Sequence, residues 1–218
     1  ILKDVFESGD EKVVIFSQWE RMTRLIAAEL DKLNIRYENL HGGVPSEKGY
    51  EGFPGSICAS PDDMVVHGIP SEKTVLREGQ IISIDCTVLL DGYQADMART
   101  FPVGKISPEA QSLIDAAKES FGEGLKMARS GNRIGDISAA IQACVEGHGY
   151  GVVRSLCGHG IGKEMHEDPE VPNFGKAGHG PRLREGMCIA VEPMITMHSP
   201  RVYQGDDGWV VATVDGSM

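Results

Sequence analysis

Several features that mark other classes of protein are missing from this sequence. No apolar run approaches the roughly 20 residues that cross a bilayer, and the N-terminal stretch ILKDVFESGDEK is not a signal peptide. The five cysteines are dispersed and odd in number, which argues against a disulfide framework and for a reducing compartment. These absences predict a cytoplasmic protein that has no membrane partner.

Basic residues are also scarce, at 21 against 32 acidic ones, which gives a formal net charge of −11. A chain with this balance is a poor binder of phosphate backbones, so we expect no nucleic-acid partner. The GxxxxGK[ST] loop is absent as well, which predicts that the chain binds no ATP. An acidic cleft that receives cations or positively charged N-termini fits the charge balance better.

Glycine is abundant, at 27 of the 218 residues, and turns divide the chain into short elements. The stretch GQIISIDCTVLLDGYQADMARTFPVG predicts a hairpin, with two alternating runs around the favoured two-residue turn Asp91–Gly92. Two helices should follow, one with Ser107 as its N-cap and Gly131 at its close, the other ending at Gly147. Late strands are predicted in MCIAVEPMITM and GWVVATV.

Two aspartates of the hairpin give the first chemical signal. If Asp91–Gly92 is the turn, Asp96 faces Thr87, and Asp85 points to the same face of the sheet. Neighbouring carboxylates beside apolar residues repel each other, so we expect a cation between them or a proton on one of them. Two divalent metals bridged by carboxylate oxygens would meet that need. The hairpin alone favours the alternative, which is a pair of solvated aspartates on a polar face.

Glu192 and His159 shift the balance towards a metal site. Glu192 falls within the predicted apolar strand CIAVEPMI, where a carboxylate is costly unless it is paired. His159 stands between Gly158 and Gly160, which allow close approach of the main chain and leave the imidazole free to point at a metal. Two aspartates, one histidine and one glutamate form an oxygen-rich donor set that suits manganese, iron(II), cobalt or zinc.

Five stretches of the sequence resemble the type I methionine aminopeptidases of bacteria in content, order and spacing: GYEGFPGSIC, VVHGIP, GQIISIDCTVLLDGYQADMARTFPVG, GHGIGKEMHEDPEVPNFG and GPRLREGMCIAVEPM. The resemblance covers residues 49–218. It implies an α+β, pita-bread (aminopeptidase/creatinase-like) fold with a dinuclear site for divalent metal ions in a central cleft. The implied reaction is hydrolysis of the first peptide bond of peptides and nascent proteins that begin with methionine.

The resemblance also implies roles for individual residues. The metal ligands would be Asp85, Asp96, His159 and Glu192. Catalytic contacts with the substrate would come from His67 and His166, although His166 could instead be merely structural. The methionine side chain would enter a narrow pocket whose aromatic and sulfur groups suit a thioether, lined by Tyr50, Phe53, Cys58, Met165 and Trp209.

Two stretches depart from the family pattern. The family has a bridging glutamate on a final strand, and this sequence stops at VATVDGSM before such a strand. We therefore expect one metal ion or none to bind and the activity to be weak or lost. Residues 1–48 resemble instead the start of the second RecA-like lobe of chromatin-remodelling-type helicases, with a strand–helix–strand pattern in residues 13–40.

Two functions of different classes are left open by the sequence. The first is a metallo-aminopeptidase. The second is an engineered chimeric folding scaffold with a relic metal site, in which a βαβ-like segment at residues 1–48 is grafted onto a truncated aminopeptidase domain at residues 49–218. In such a chimera the foreign segment would cover a sheet face or edge, and we expect a monomer or a strand-exchanged homodimer.

Overall fold

The computed structural model describes residues 44–218, so the strand–helix–strand pattern predicted for residues 13–40 lies outside the described residues. The chain divides after Val44, and Pro45–Met218 forms one compact unit of mixed strands and helices. Across residues 44–218, no helix is long and apolar enough to cross a membrane. All five cysteines are free, in agreement with the prediction from their dispersed positions.

The longest strands form a sheet near the start of the described chain. Its neighbours run in the order β1, β4, β2, and β5 pairs with the other side of β4. A short 3-10 helix at Tyr50–Gly52 lies between the first two strands. The strands of this part of the chain are β1 (Val44–Pro45), β2 (Cys58–Pro61), β3 (Met64–Val66), β4 (Ile81–Leu90) and β5 (Tyr93–Pro102).

The hairpin formed by β4 and β5 has the register that its turn predicts. Leu90 pairs with Tyr93 across Asp91 and Gly92, and both turn residues have positive φ, at 50° and 81°. Positive φ at both central positions is the requirement of a type I′ turn, which aspartate and glycine meet at low cost. Further along the ladder, Thr87 pairs with Asp96, as the sequence predicts.

Two antiparallel-type helical segments follow the hairpin, α1 (Pro108–Met127) and α2 (Ile134–Gly147). The Ser107 side chain accepts a hydrogen bond from the Ala110 N–H, so the predicted N-cap is confirmed. The first helix ends at Met127, earlier than the predicted close at Gly131, because the chain already turns at Ala128. Gly131 instead lies in the connection, with a φ of 96°.

The main hydrophobic core lies on the inner face of α2. Ile137, Ile141 and Val145 are fully buried there, and they pack with apolar residues of the strands that follow. Gly124 of α1 lets the two helices approach closely, since a Cβ at that position would lie 2.8 Å from Cγ1 of Ile141. The helix pair thereby backs the sheets with a dense apolar layer.

The remaining strands are short and form three small sheets. β7 lies between β8 and β9, β10 pairs with β6, and β12 lies between β11 and β3. Their bounds are β6 (Gly151–Val152), β7 (Gly158–Gly160), β8 (Glu167–Val171), β9 (Ile189–Ala190), β10 (Ile195–Thr196), β11 (Val202–Gln204) and β12 (Val211–Thr213). The strand predicted in MCIAVEPMITM is therefore split into β9 and β10, with an irregular stretch between them.

Candidate metal centre

Asp85 and Asp96 come together on the β4–β5 hairpin. Asp96 pairs with Thr87 and Asp85 pairs with Ala98, which puts both carboxylates on one face of the sheet. Burial raises the pKa of Asp85 well above its ordinary range, and the charges of Asp96 and Glu192 raise it further. Asp85 Oδ1 is buried and has no hydrogen-bond partner. The aspartates are therefore a repelling pair inside the protein, and the alternative of two solvated side chains is wrong.

His159 is held in place by its two glycine neighbours in β7. A Cβ at position 158 would lie 2.3 Å from the Ala190 carbonyl oxygen, and one at position 160 would lie 2.2 Å from the Asp168 carbonyl oxygen. Only glycine allows the flanking strands to come so close. The His159 residue itself is 8% exposed. The sequence interpretation of these glycines as sites of close main-chain approach is confirmed.

The His159 ring points one nitrogen at the main chain and the other at two carboxylates. Nδ1 lies 2.8 Å from the Gly160 carbonyl oxygen, which can accept its hydrogen. Nε2 lies 3.2 Å from Glu192 Oε1 and 3.5 Å from Asp96 Oδ2. One ligand atom from each of Asp96, His159 and Glu192 falls within 4.8 Å of the other two. Burial lowers the pKa of His159, but the two carboxylates outweigh it and raise that pKa to about 10.

Glu192 reaches the site from a different element than the sequence predicts. It lies in the irregular stretch between β9 and β10 rather than within a strand. The fully buried Asn173 donates a hydrogen bond from Nδ2 to the Glu192 carbonyl oxygen at 2.6 Å, which satisfies a main-chain group that no strand pairs. Pro193 follows directly and has no N–H to donate to a ladder, which gives a physical reason for the break in the strand.

The two histidines predicted to contact substrate lie beside this group. Burial lowers the pKa of His67, and among the charges that act on it are Glu192, His166 and Asp96. Burial also lowers the pKa of His166, and His159 lowers it further. The rings of His159 and His166 are 4.3 Å apart. His67 has a φ of 59°, which is unusual for a residue with a side chain and marks a constrained position after β3.

The residues predicted to line the methionine pocket form two contacts in the structure. Phe53 meets Trp209 edge to face, with ring centroids 5.1 Å apart. Tyr50 is hydrogen-bonded through its hydroxyl to Nδ1 of His166 at 2.7 Å, and their rings also touch. The two sulfur-bearing residues are buried, and one of them pairs across the sheet with Asp85: these are Met165 and Cys58. Their role in substrate binding stays a prediction.

Glu47 is a residue of this site that the sequence analysis did not single out. It is 6% exposed, and burial raises its pKa to about 7 while the charge of Asp96 adds to that rise. The motif VPSEKGY around it has no apolar alternation that would indicate a buried position. Its burial depends on contacts with β4, which is distant in sequence, so only the assembled sheet reveals it.

Comparison with known proteins agrees with this arrangement. The family model for metallopeptidase family M24 matches residues 12–214. The methionine aminopeptidase of Clostridium acetobutylicum is 54% identical over 191 residues, which are 88% of this chain and 76% of that protein. The crystal structure of methionine aminopeptidase from Thermotoga maritima has a TM-score of 0.79 and 39% identity, covering 89% of this chain and 75% of that one.

A second solved structure includes nearly the whole chain. Methionine aminopeptidase from Rickettsia prowazekii matches with a TM-score of 0.79 and 35% identity, over 99% of this chain and 82% of its own. The predicted α+β, pita-bread fold is confirmed by these neighbours. None of the matches supports the predicted resemblance of residues 1–48 to a helicase, and the family match already begins at residue 12. The chain belongs to metallopeptidase family M24, among the methionine aminopeptidases.

Proposed function

We propose that this protein is a metal-dependent aminopeptidase that removes the N-terminal methionine from peptides and nascent proteins. The observation that carries the proposal is the position of His159, whose Nε2 faces the carboxylates of Asp96 and Glu192. Asp85 adds a third carboxylate beside them. The names of the relatives described above, methionine aminopeptidases, point to the same reaction.

The residues of the site fit divalent metal ions as a cofactor. Asp85 Oδ1 and Glu192 Oε1 are both buried without a hydrogen-bond partner, although Glu192 Oε1 is near enough to His159 to pair with a protonated ring. The Gly160 carbonyl can hold the hydrogen of His159 on Nδ1, so that Nε2 keeps a lone pair for a metal. Asp85, Asp96, His159 and Glu192 would hold the ions. When bound, divalent metals supply a Lewis acid and lower the pKa of water.

The carboxylates and the two further histidines would handle the substrate. The positively charged N-terminal amine is attracted to the cluster of acids, which selects free N-termini over internal peptide bonds. Since burial lowers the pKa of both His67 and His166, each ring is neutral near neutral pH and can donate or accept one hydrogen bond. The Tyr50 hydroxyl engages Nδ1 of His166 and leaves Nε2 available for the substrate.

The side chain of the first residue would enter the pocket of Phe53, Trp209, Cys58, Met165 and Tyr50. The edge-to-face pair of Phe53 and Trp209 supplies a rigid apolar wall. Buried sulfur groups at Cys58 and Met165 offer polarisable surface to a thioether. This combination favours methionine over charged first residues, which would be desolvated without a partner.

Metal titration combined with peptide hydrolysis tests the proposal. The protein is dialysed against chelator, titrated with Mn²⁺ or Co²⁺, and assayed on Met-Ala-Ser and on Lys-Ala-Ser. We expect binding of the metal and release of methionine only from the first peptide. The Asp96→Asn variant should lose both properties, whereas Asp115→Asn on the exposed surface of α1 should retain them. Metal-independent hydrolysis, or full activity of Asp96→Asn, would contradict the proposal.

The second candidate function, a chimeric folding scaffold with a relic metal site, has no specific observation in its favour. The expectation of weak or lost activity has none either, and we propose an active enzyme. The particular metal ion and the predicted monomer or strand-exchanged dimer stay predictions.

A further inference from the structure

Glu47 is a buried carboxylate that the proposed reaction does not use. It lies between β1 and the 3-10 helix at Tyr50–Gly52 and is 6% exposed. A glutamate is rarely buried to this extent unless it has a partner. One of its two carboxylate oxygens, Oε2, is buried and has no hydrogen-bond partner among the described residues. The group therefore needs an explanation that the fold alone does not supply.

The other oxygen of Glu47 ties it to the metal centre through Thr87. The Thr87 N–H donates a hydrogen bond to Glu47 Oε1, and the Ser46 N–H donates one to the Thr87 carbonyl oxygen at 3.0 Å. Both main-chain groups of Thr87 are thus held by the same two residues. Thr87 is the residue that pairs directly with Asp96 across the hairpin. The Ser46–Glu47 segment is therefore anchored at the level of a proposed ligand.

The charge of Glu47 also acts on the metal centre. Asp96 raises the pKa of Glu47, and Glu47 in turn is one of the charges that raise the pKa of Asp85. The thiols of Cys58 and Cys86, on either side of Asp85 in the sheet, also have their pKa raised by Glu47 after the larger effect of burial. Three carboxylates thus share one buried region. Such a region is costly for the fold when empty and attractive to a cation.

We propose that Glu47 is an additional acidic residue of the cation site, with Oε1 positioning Thr87 opposite Asp96 and Oε2 adding the negative charge that strengthens divalent cation binding. This inference rests on the proposed function, because it needs Asp85 and Asp96 to bind a metal. Glu47 is a positioning residue rather than a catalytic one. The competing account is a purely structural carboxylic acid that anchors Thr87 and has no influence on the metal.

The Glu47→Gln variant separates these two accounts. Glutamine keeps the length of the side chain and an oxygen that can accept the Thr87 N–H, but it removes the charge. Binding of Mn²⁺ is measured by the loss of the free-ion electron paramagnetic resonance signal, and the melting temperature is measured with chelator and with Mn²⁺. We expect Mn²⁺ affinity to fall by about tenfold, as when other groups around a metal site are removed. We also expect the metal-free variant to melt at a higher temperature, because one repelling charge is gone.

Two further variants keep the test decisive. Glu47→Asp retains the charge and should bind Mn²⁺ more tightly than Glu47→Gln, even if the contact with Thr87 loosens. Glu72→Gln removes a charge from an exposed position and should leave both measurements unchanged. A structural role alone predicts instead that Glu47→Gln melts lower with and without metal and binds Mn²⁺ as the unchanged protein does.

The possible failures are distinguishable from one another. If Asp96→Asn abolishes Mn²⁺ binding and Glu47→Gln leaves it unchanged, this inference is overturned while the proposed function stands. If the folded, unchanged protein binds no Mn²⁺, both are overturned. If Glu47→Gln and Glu47→Asp weaken binding equally, the charge of Glu47 is not the cause, and the inference is overturned as well.

Discussion

The charged side chains of the two helices and those of the metal centre have opposite surroundings. On the helices, acidic groups lie at the surface beside basic ones, as in the pair of Glu123 and Lys126 and the pair of Glu119 and His148. In the metal centre, carboxylates are drawn inside, and Asp85 Oδ1 and Glu192 Oε1 have no hydrogen-bond partner. The apolar core lies between these two regions, along Ile137 and Ile141.

The difference separates what stabilises the molecule from what it does. The helix pair meets its own requirements, with an apolar inner face and a solvated outer face. The metal centre keeps acids together against their mutual repulsion, which is a cost to the fold that a bound cation would remove. Changes in the two regions should therefore have effects on different measurements.

The largest effect should follow removal of the carboxylate at the middle of the metal centre. We expect Asp96→Asn to reduce both Mn²⁺ affinity and hydrolysis of Met-Ala-Ser by at least about 100-fold, since a ligand should matter more than the groups that support it. Its metal-free form should melt no lower than the unchanged protein, because a repelling charge is lost. Calorimetric titration and a melting curve in chelator test the two halves of this prediction; a strongly destabilised variant would break the comparison.

A change in the helix core should have the reverse signature. We expect Ile141→Ala to lower the free energy of unfolding by about 2–5 kcal/mol, because it leaves a cavity beside Gly124. Mn²⁺ affinity of the folded fraction should stay the same. Leu125→Ala on the same helix pair is the matched control, since Leu125 is 54% exposed and its loss should cost little. Urea denaturation measures both, and loss of metal affinity in Ile141→Ala would show that the two regions are coupled.

The dependence of stability on pH should be intermediate in size and confined to the metal-free protein. The folded protein raises the pKa of Asp85 and raises that of Glu47 to about 7, so these acids bind protons more tightly when folded. Their stabilising protons are lost as pH rises. The carboxylates around His159 outweigh its burial and raise its pKa to about 10, so loss of its proton has the same sign. The melting temperature in chelator should therefore fall between about pH 6 and about pH 9.

Saturating Mn²⁺ should flatten this slope, because the cation replaces the protons. Asp85→Asn should flatten it in chelator as well. A melting temperature in chelator that rises over the same interval would contradict the prediction.

The smallest effect should come from the exposed helix pair of Glu119 and His148. Their atoms lie 2.9 Å apart, but both side chains are well exposed to solvent. We expect Glu119→Gln to change the free energy of unfolding by less than about 1 kcal/mol, as is usual for surface ion pairs, and to leave hydrolysis unaffected. A larger loss of stability would show that the surface charges of the helices are not simply solvated.

Local signals in the sequence were sufficient wherever neighbouring residues decide the structure. The turn at Asp91–Gly92 determines the hairpin register, and that register alone places Asp85 and Asp96 on one face. Ser107 likewise marks the start of α1. These features could be predicted because turn and cap preferences act over two to four residues.

Features that depend on distant contacts could not be predicted in the same way. Apolar residues around Glu192 suggest one continuous strand, yet the chain breaks there and Asn173 satisfies the freed carbonyl from another element. The burial of Glu47 follows from its contact with Thr87, 40 residues further along the chain. Neither signal is present in the local pattern, because a polar side chain looks alike in sequence whether water or another strand surrounds it.

The glycines on either side of His159 have a consequence for anyone who wishes to re-engineer this enzyme. With the neighbouring carbonyl oxygens 2.3 Å and 2.2 Å from where a Cβ would stand, positions 158 and 160 accept no other residue without displacement of the main chain. A mutant library aimed at new first-residue preferences should therefore vary Phe53, Met165 and Trp209 and leave the Gly-His-Gly strand untouched. Diversity spent on those two glycines would yield mostly misfolded clones, which makes them a natural fixed frame for selection.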